Sequence, residues 1–304
     1  MLRDLNELVE VARQQGPVRI AVAAGHSAEC IEALKQAQEI GLAEGILIGD
    51  ARKVWEMADQ AGFSLPAHQV LNEPDADKAA RLAVGMVRDG NASLLMKGKI
   101  GTAQLIRAVL DRDTGLRTGR LLSQVIVFQV PGFTRLMLMT DAAINIAPDL
   151  SQKAELCRNA IEVAHALGID KANLAVLCAR EQVNPDMPAT LDAAGLVAMN
   201  RRGQIAGAFL DGPIALDAPL SRFAAECKGI DSPIVENTDI FLAPDIEAAN
   251  ILYRAILYFA RGESGGIVVG ARVPLILLSR AETPETKIRS IALAVLVRKH
   301  AKKG

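Results

Sequence analysis

A surplus of charge of either sign is missing from this chain: 34 lysines and arginines stand against 35 aspartates and glutamates, a formal net charge of −1. A nucleic-acid partner asks for a basic surplus, so that class is excluded as the main target. The basic stretch Arg298 to Lys303 then reads as a solvated helix terminus complementing the backbone dipole. Cysteine is sparse too. Cys30, Cys157, Cys178 and Cys227 lie scattered without C-x-x-C spacing, which signals neither a disulfide framework nor a zinc site. Cys178, inside the apolar run Leu174 to Ala179, reads as a small core residue. A reduced, cytoplasmic setting with no bound metal is expected. No apolar stretch reaches the roughly 18 residues of a membrane span, because Arg272 interrupts the longest candidate. Met1 to Gln15 carries Asp4, Glu7 and Glu10, so it predicts an amphipathic helix and not an apolar leader.

What is present is alternation. With 304 residues, half of them hydrophobic, the chain can bury a large core and divide into two domains. Val18–Ala24 is a continuous apolar run, typical of a parallel strand buried on both faces, and His26-Ser27 opens a helix to about Ile40. Further β-then-α units follow: Gly45–Ile48 with Ala51–Ala61, Gln69–Leu71 with Ala76–Arg88, and Ala92–Met96 with Ala103–Leu110. Repeats of this length imply a parallel, doubly wound sheet. Asp111–Arg120 is the most loop-like stretch and the expected domain crossing. Beyond it, Ser123–Val130 and Arg135–Met139 read as strands paired around Pro131-Gly132, and a loop from Thr140 to Leu150 precedes a helix to Leu167. Then alternation resumes: strand Leu174–Ala179, helix Ala189–Asn200, strand Ile205–Leu210, helix Leu220–Lys228, strand Asp239–Ala243 and helix Ile246–Ala260.

Three places carry chemistry. At Gly265–Lys287 two apolar strand-like runs are followed by Ser279-Arg280 and by a helix start, with Thr283 as N-cap and Pro284 in the first turn. A hydroxyl and a guanidinium at a strand end, facing a helix N-terminus, suit an anion. At Lys97–Thr102 two lysines, two glycines and a threonine join strand to helix, which lets backbone and ammonium groups approach phosphate oxygens, though P-loop spacing is absent. Asp211 and Asp245 are expected at C-terminal strand ends, as a carboxylate edge, as turn and cap residues, or as part of a metal site. Asp141, Asn145 and Asp149 read either as functional loop residues or as local turn chemistry.

Six ordered runs, MKGKIGT (96–102), TDAAINIAPDL (140–150), VNPDMPATLDA (183–193), RGQIAGAFLDGPIALD (202–217), LAPDIEAANILYRA (242–255) and LLSRAETPETK (277–287), resemble the phosphate acetyl/butyryltransferase family, nearer its butyryl-type branch. The resemblance implies reversible transfer of an acyl group between coenzyme A and phosphate, with acyl-CoA, CoA, phosphate and acyl phosphate as partners. Coenzyme A is then a substrate and no cofactor stays bound. It also implies two αβα three-layer domains of the isocitrate/isopropylmalate dehydrogenase type with a cleft between them, and a homodimer. The first domain would comprise 1–120 with 271–304, the second 121–270. Ser279 and Arg280 match the family's Ser-Arg pair, the arginine gripping phosphate or CoA and the serine supporting the tetrahedral transition state. Glu285 stands beside the position where acetyl-type relatives place an aspartate base, and its other reading is charge in a helix's first turn. Lys97, Lys99 and Thr102 match a turn lining the cleft, and Ser123 a serine just after the crossing. Asp211, Asp245 and Asn250 match positions that line the cleft or support its shape. The chain departs from the family pattern at Gln124, Ala249 and Glu236-Asn237, the last adding charge and bulk near a strand start.

Two other readings stay open. One is an NAD-dependent hydroxyacid dehydrogenase of the same fold type, although the Gly25–Ser27 turn lacks G-x-G-x-x-G. The other is a non-catalytic relative that binds CoA or acyl phosphates. Arg280 distinguishes the acyltransferase reading: replacing it by Ala is expected to remove most turnover in a thiol-release assay, and an unchanged rate would dismiss Ser279-Arg280 as the reacting centre.

Overall fold

The computed structural model describes residues 2–277 and 282–301; Ser279 and Arg280 therefore lie outside the described residues. The chain divides into two compact units, one formed by Asn6–Arg120 with the chain from Gly265 onward, the other by Leu121–Ser264 with the N-terminus up to Leu5. Both are mixed α/β.

In chain order the elements are α1 (Leu5–Arg13), β1 (Val18–Ala23), α2 (Ala28–Glu39), β2 (Ala43–Gly49), α3 (Ala51–Gln60), β3 (Val70–Asn72), α4 (Ala76–Arg88), β4 (Leu94–Lys97) and α5 (Thr102–Val109). The four strands are parallel in the order β3-β2-β1-β4. Residues Ile20 to Ala23 of β1 are wholly buried, which is why its sequence is continuously apolar and not alternating. Ser27, Asp50 and Asp75 each follow a strand by a few residues and accept a backbone N–H from α2, α3 and α4. A polar side chain that caps the next helix thus ends each of these strand-to-helix turns.

The expected crossing Asp111–Arg120 forms neither helix nor strand. It is nevertheless tied down: Leu116 N–H donates to Val109 at 2.7 Å, Thr118 Oγ1 to the Gly270 carbonyl, and Arg272 N–H to Leu116 at 2.9 Å. These last bonds fasten the chain's return to the unit it left.

The second unit contains β5 (Ser123–Gln129), β6 (Met137–Thr140), α6 (Leu150–Ala166), β7 (Ala172–Leu177), α7 (Pro188–Arg201), β8 (Ala208–Ile214), the short helices α8 (Asp217–Leu220) and α9 (Arg222–Cys227), β9 (Ile240–Leu242) and α10 (Ile246–Tyr258). Its strand order is β5-β6-β9-β7-β8, with β5 and β6 an antiparallel pair and the rest parallel. Ile126, Met139, Ala175, Phe241 and Tyr253 lie at the centre of its core.

One expectation fails here. β8 begins at Ala208 and runs to Ile214, so Asp211 lies inside the strand and not at its end. Gly207, at φ +86°, turns the chain beside His165, which delays pairing with β7. β8 is the outermost strand, and a register shift opposite Ala175–Leu177 accommodates Pro213, whose missing N–H an edge tolerates. The helix expected at Leu220–Lys228 is α9, which starts two residues later because Ser221 is extended and caps it by accepting from Ala224 N–H at 3.3 Å; the short α8 precedes it.

The chain then forms β10 (Glu263–Val269), β11 (Leu275–Ile276) and α11 (Pro284–Ala301). β11 lies parallel to β4, with Ile276 beside Met96, and antiparallel to β10. α11 packs on α2, β4 and β11 and is buried on nearly all sides from Thr286 to Val297. Among the described residues no helix is long and apolar enough to cross a membrane.

Asp149 and Gln152 form a reciprocal capping box at the start of α6, accounting for this part of the 140–150 loop as local structure. Asp149→Ala is expected to lower stability by about 1 kcal/mol. The measurement is a shifted urea midpoint with an unchanged slope.

Candidate active site

β1, β4 and β11 are parallel, so their C-terminal ends reach one edge of the first unit's sheet. Two turns leave that edge, Ala24–Ser27 into α2 and Gly98–Gly101 into α5. They are joined backbone to backbone: Gly98 N–H donates to Ala23 at 2.9 Å and Lys99 N–H to Ala24 at 2.8 Å. A Cβ at position 98 would stand 2.3 Å from the Ala24 carbonyl oxygen, so only glycine lets the turns close on each other.

Between them opens a cavity of about 530 Å³, lined by residues 26–30, Met57 and residues 97–101. The N-termini of α2 and α5 both border it, and helix starts favour anions. Lys97 is half-buried, with its ammonium curled over its own turn at 3.4 Å from the carbonyls of Gly98 and Ile100. Those contacts are long, and they leave donor capacity for a ligand. Lys99 is exposed at the rim. Glu29 is the acidic side chain of the lining, and Ser27 Oγ donates to it at 3.0 Å.

His26 and Cys30 complete the wall. Sequence reasoning passed over both, since a single histidine or cysteine beside a helix start carries no spacing signal. The Nδ1 of His26 is buried without a hydrogen-bond partner, packed where a Cβ on Gly49 would come within 2.7 Å. Burial, then the ammonium groups of Lys53 and Lys99, hold the imidazole below its ordinary pKa, with Asp50 opposing them. The Cys30 thiol is buried, donates to the Lys97 carbonyl at 3.3 Å, and is pushed up by that burial, so it is a poor nucleophile here. Cys178 behaves likewise, pushed up to about 11 by burial while its sulfur donates to the Ala189 carbonyl.

The other sequence-derived candidates fall as follows. Thr102 is exposed at the first position of α5, next to the cavity-lining Gly101. Lys97, Lys99 and Thr102 are thus brought together in one turn. Glu285 is not with them: it lines a separate cavity of about 450 Å³ with α1, the C-terminal half of α2, Ile288 and Arg289. Its carboxyl is held below the usual range by its own backbone N–H, then by Thr283 and Arg289, which makes it a weak base. The reason is helical geometry. Positions 285, 288 and 289 share one face of α11, while Thr286, Lys287 and Ser290 turn inward.

In the second unit, Ser123 is fully buried and accepts from Asn159 Nδ2 at 2.7 Å, so its hydroxyl belongs to the packed interior and not to a ligand surface. Asp211 accepts from the Gly212 N–H at 2.8 Å, Asp245 caps α10 by accepting from Ala248 N–H at 2.8 Å, and Asn250 Nδ2 donates to the Ala142 carbonyl at 3.1 Å. Each has local work to do. Asp141 accepts from three successive backbone N–H groups and from Asn145 Nδ2, which is turn chemistry. Glu236, at φ +60° and bonded to Arg222, lines with Asn237 a cavity of about 380 Å³ that also holds Arg135 and Phe133. Among the described residues no group of three His, Cys, Asp or Glu side chains is placed to hold a metal ion.

Residues 68–295 match the family described as phosphate acetyl/butaryl transferase. A phosphate butyryltransferase of Clostridium acetobutylicum is 42% identical over 297 residues, 98% of this chain and 99% of that protein. A phosphate acetyltransferase of Thermotoga maritima is 41% identical over 292 residues, covering 96% of this chain and 99% of that one. Among solved structures, a branched-chain phosphotransacylase from Enterococcus faecalis V583 aligns with a TM-score of 0.81 at 29% identity, over 92% of this chain and 99% of that chain.

The depressed pKa of His26 sets a pH dependence. Below about pH 6.5 the unfolded chain binds a proton that the folded imidazole resists, so stability falls as pH drops through that value. His26→Asn is expected to flatten this part of the slope, between about pH 7 and pH 5, in urea midpoints measured against pH.

Proposed function

This chain belongs to the phosphate acetyl/butyryltransferase family, and from that premise we propose that it catalyses acyl-CoA + phosphate = acyl phosphate + CoA. The acyl group is short, acetyl to butyryl. The observation that carries the reading to this chain is the cavity at the starts of α2 and α5, where two lysines meet two helix N-termini. Such a site suits phosphoryl oxygens and has no built-in counter-anion besides the Ser27-bonded Glu29.

The reaction proceeds by direct transfer. The CoA sulfur, as thiolate, attacks the carbonyl carbon of the acyl phosphate. The S–C bond forms as the carbonyl electron pair moves to oxygen, and collapse of the tetrahedral species expels phosphate with the C–O bonding pair. No covalent enzyme intermediate, metal or resident cofactor is invoked. Arg280 grips the phosphate or CoA and Ser279 supports the tetrahedral oxyanion, both roles resting on the family's Ser-Arg motif. Lys97 neutralises the leaving group, and Lys99 and Thr102 meet substrate at the rim. Asp211, Asp245 and Asn250 hold the shape of the second unit. A thiol of pKa about 8 to 9, by analogy with cysteine, reaches its thiolate near neutral pH beside such cations, which removes the need for Glu285 as base. Glu285 instead supplies favourable charge to the first turn of α11. The two units act as two domains of a cytoplasmic homodimer, and the dehydrogenase alternative is set aside because the family is one of acyl transfer.

A thiol-release assay with acetyl-, propionyl- and butyryl-CoA plus phosphate tests the reading. Turnover with at least one is expected; none, from folded protein, would end it. Glu285→Gln is expected to keep its rate within about twofold, and a loss beyond about tenfold, equivalent to about 1.4 kcal/mol of transition-state stabilisation, would restore that carboxylate as the base.

A further inference from the structure

His26 lines the cavity at the turn from β1 into α2, yet among the described residues its imidazole makes no hydrogen bond. The two ring nitrogens are placed differently. Nδ1 is buried and unpartnered, whereas Nε2 is unbonded but not enclosed, on a half-buried residue that borders the cavity. A buried nitrogen without a partner lowers stability, and a chain keeps that cost where the other edge of the ring is used.

The neighbours decide which nitrogen carries the proton. Nδ1 sits over Gly49, and the next atoms around the point where a Gly49 Cβ would stand are the backbone nitrogens of Gly25 and His26, at 3.2 and 3.5 Å. No carboxylate is free on that side. Asp50 accepts the Lys53 N–H at 3.3 Å as the cap of α3 and pairs with the Lys53 ammonium at 3.0 Å. A lone pair suits these nitrogens better than a second N–H pointed at them, so the proton belongs on Nε2. Burial, then the ammonium groups of Lys53 and Lys99, oppose a further proton against the weaker pull of Asp50, and Glu29, the acidic group on α2 itself, is engaged by Ser27. The ring is therefore neutral, with a single N–H at its accessible edge.

We propose that His26 is a substrate-binding residue whose Nε2–H donates to a phosphoryl oxygen in the cavity bordered by α2 and α5. Lys97 and Lys99 bring charge to the same space, and the imidazole adds a directed hydrogen bond without adding another cation. Phosphoryl oxygens are carried by inorganic phosphate, by acyl phosphate and by the nucleotide end of CoA. The proposal rests on the acyl-transfer reading above for those identities, and on the two unbonded ring nitrogens and the cavity for the donor.

Two substitutions separate the ring positions, since a Gln amide nitrogen reaches about as far as Nε2 and an Asn amide nitrogen only about as far as Nδ1. His26→Asn should raise the KM for phosphate or for acyl-CoA by about tenfold or more, as expected for losing a hydrogen bond to a charged group, and His26→Gln should recover most of that rise. The substrate whose KM moves is the one that carries the bonded oxygen. Melting temperature supplies a readout independent of turnover: the increase brought by inorganic phosphate or by CoA should persist in His26→Gln and shrink in His26→Asn. Should the variants fail to fold, nitrogen-15 spectra of the histidine rings in the unmodified protein should show the His26 proton on Nε2 alone, with that signal moving when phosphate or CoA is added. Equal behaviour of the two variants, a proton on Nδ1, or a ligand-induced increase that His26→Asn leaves intact would overturn the proposal. If the unmodified protein turned over none of the acyl-CoAs but showed a His26-dependent increase with phosphate or CoA, the phosphoryl site would stand and the acyl-transfer reading would fall. Turnover with both KM values indifferent to His26 would mean the opposite.

Discussion

Two backbone hydrogen bonds, from Gly98 and Lys99 to the carbonyls of Ala23 and Ala24, determine where everything else at the site can be. They draw the turns after β1 and β4 into contact, so the starts of α2 and α5 border one space. The fit depends on position 98 having no side chain. With the turns joined, the Lys97 ammonium lies over its own loop, and the sulfur of Cys30 is held against the Lys97 carbonyl. Positive charge is therefore gathered by the main chain before any ligand arrives, which is the kind of preorganisation that anion recognition and charge-shifting chemistry both use.

The acidic residues of the second unit tell the complementary story. Asp141, Asp149, Asp211 and Asp245 each accept backbone N–H groups at a turn, a cap or a strand, and their charge is used locally. Carboxylates engaged in this way shape loops, turns and helix starts. The chain's near-zero net charge conceals this partition between basic site and structural acid.

Much of the fold was legible because buried parallel strands leave a plain trace. β1 reads as an almost continuous apolar run, and α4 is found at Ala76–Arg88 as expected, with Asp75 as its cap. Legibility failed where long-range pairing overrode local pattern. The start of β8 is decided by the Gly207 turn against His165 and by the bulge opposite β7, neither visible in the run Ile205–Leu210. At the site, the Lys97–Thr102 turn was readable from composition, but the place of Glu285 was not. Glu285 and Lys287 are two residues apart on a helix, so they face different surroundings: one a groove by α1, the other the interior. Ser123 shows the converse, a residue matched by motif whose hydroxyl is consumed by Asn159.

β11 sits between β4 and β10, and α11 is among the most deeply enclosed helices of the chain, although both come from its last thirty or so residues. The first unit therefore lacks a central strand and its buried helix until the entire intervening unit has been synthesised. During translation the early βα repeats must wait on the ribosome with an open sheet edge at β4, while Leu121–Ser264 can already assemble. Assembly of the first unit is in this way coupled to synthesis of the chain beyond Ser264, and a product terminated before that point would lack the strand and helix that complete its sheet.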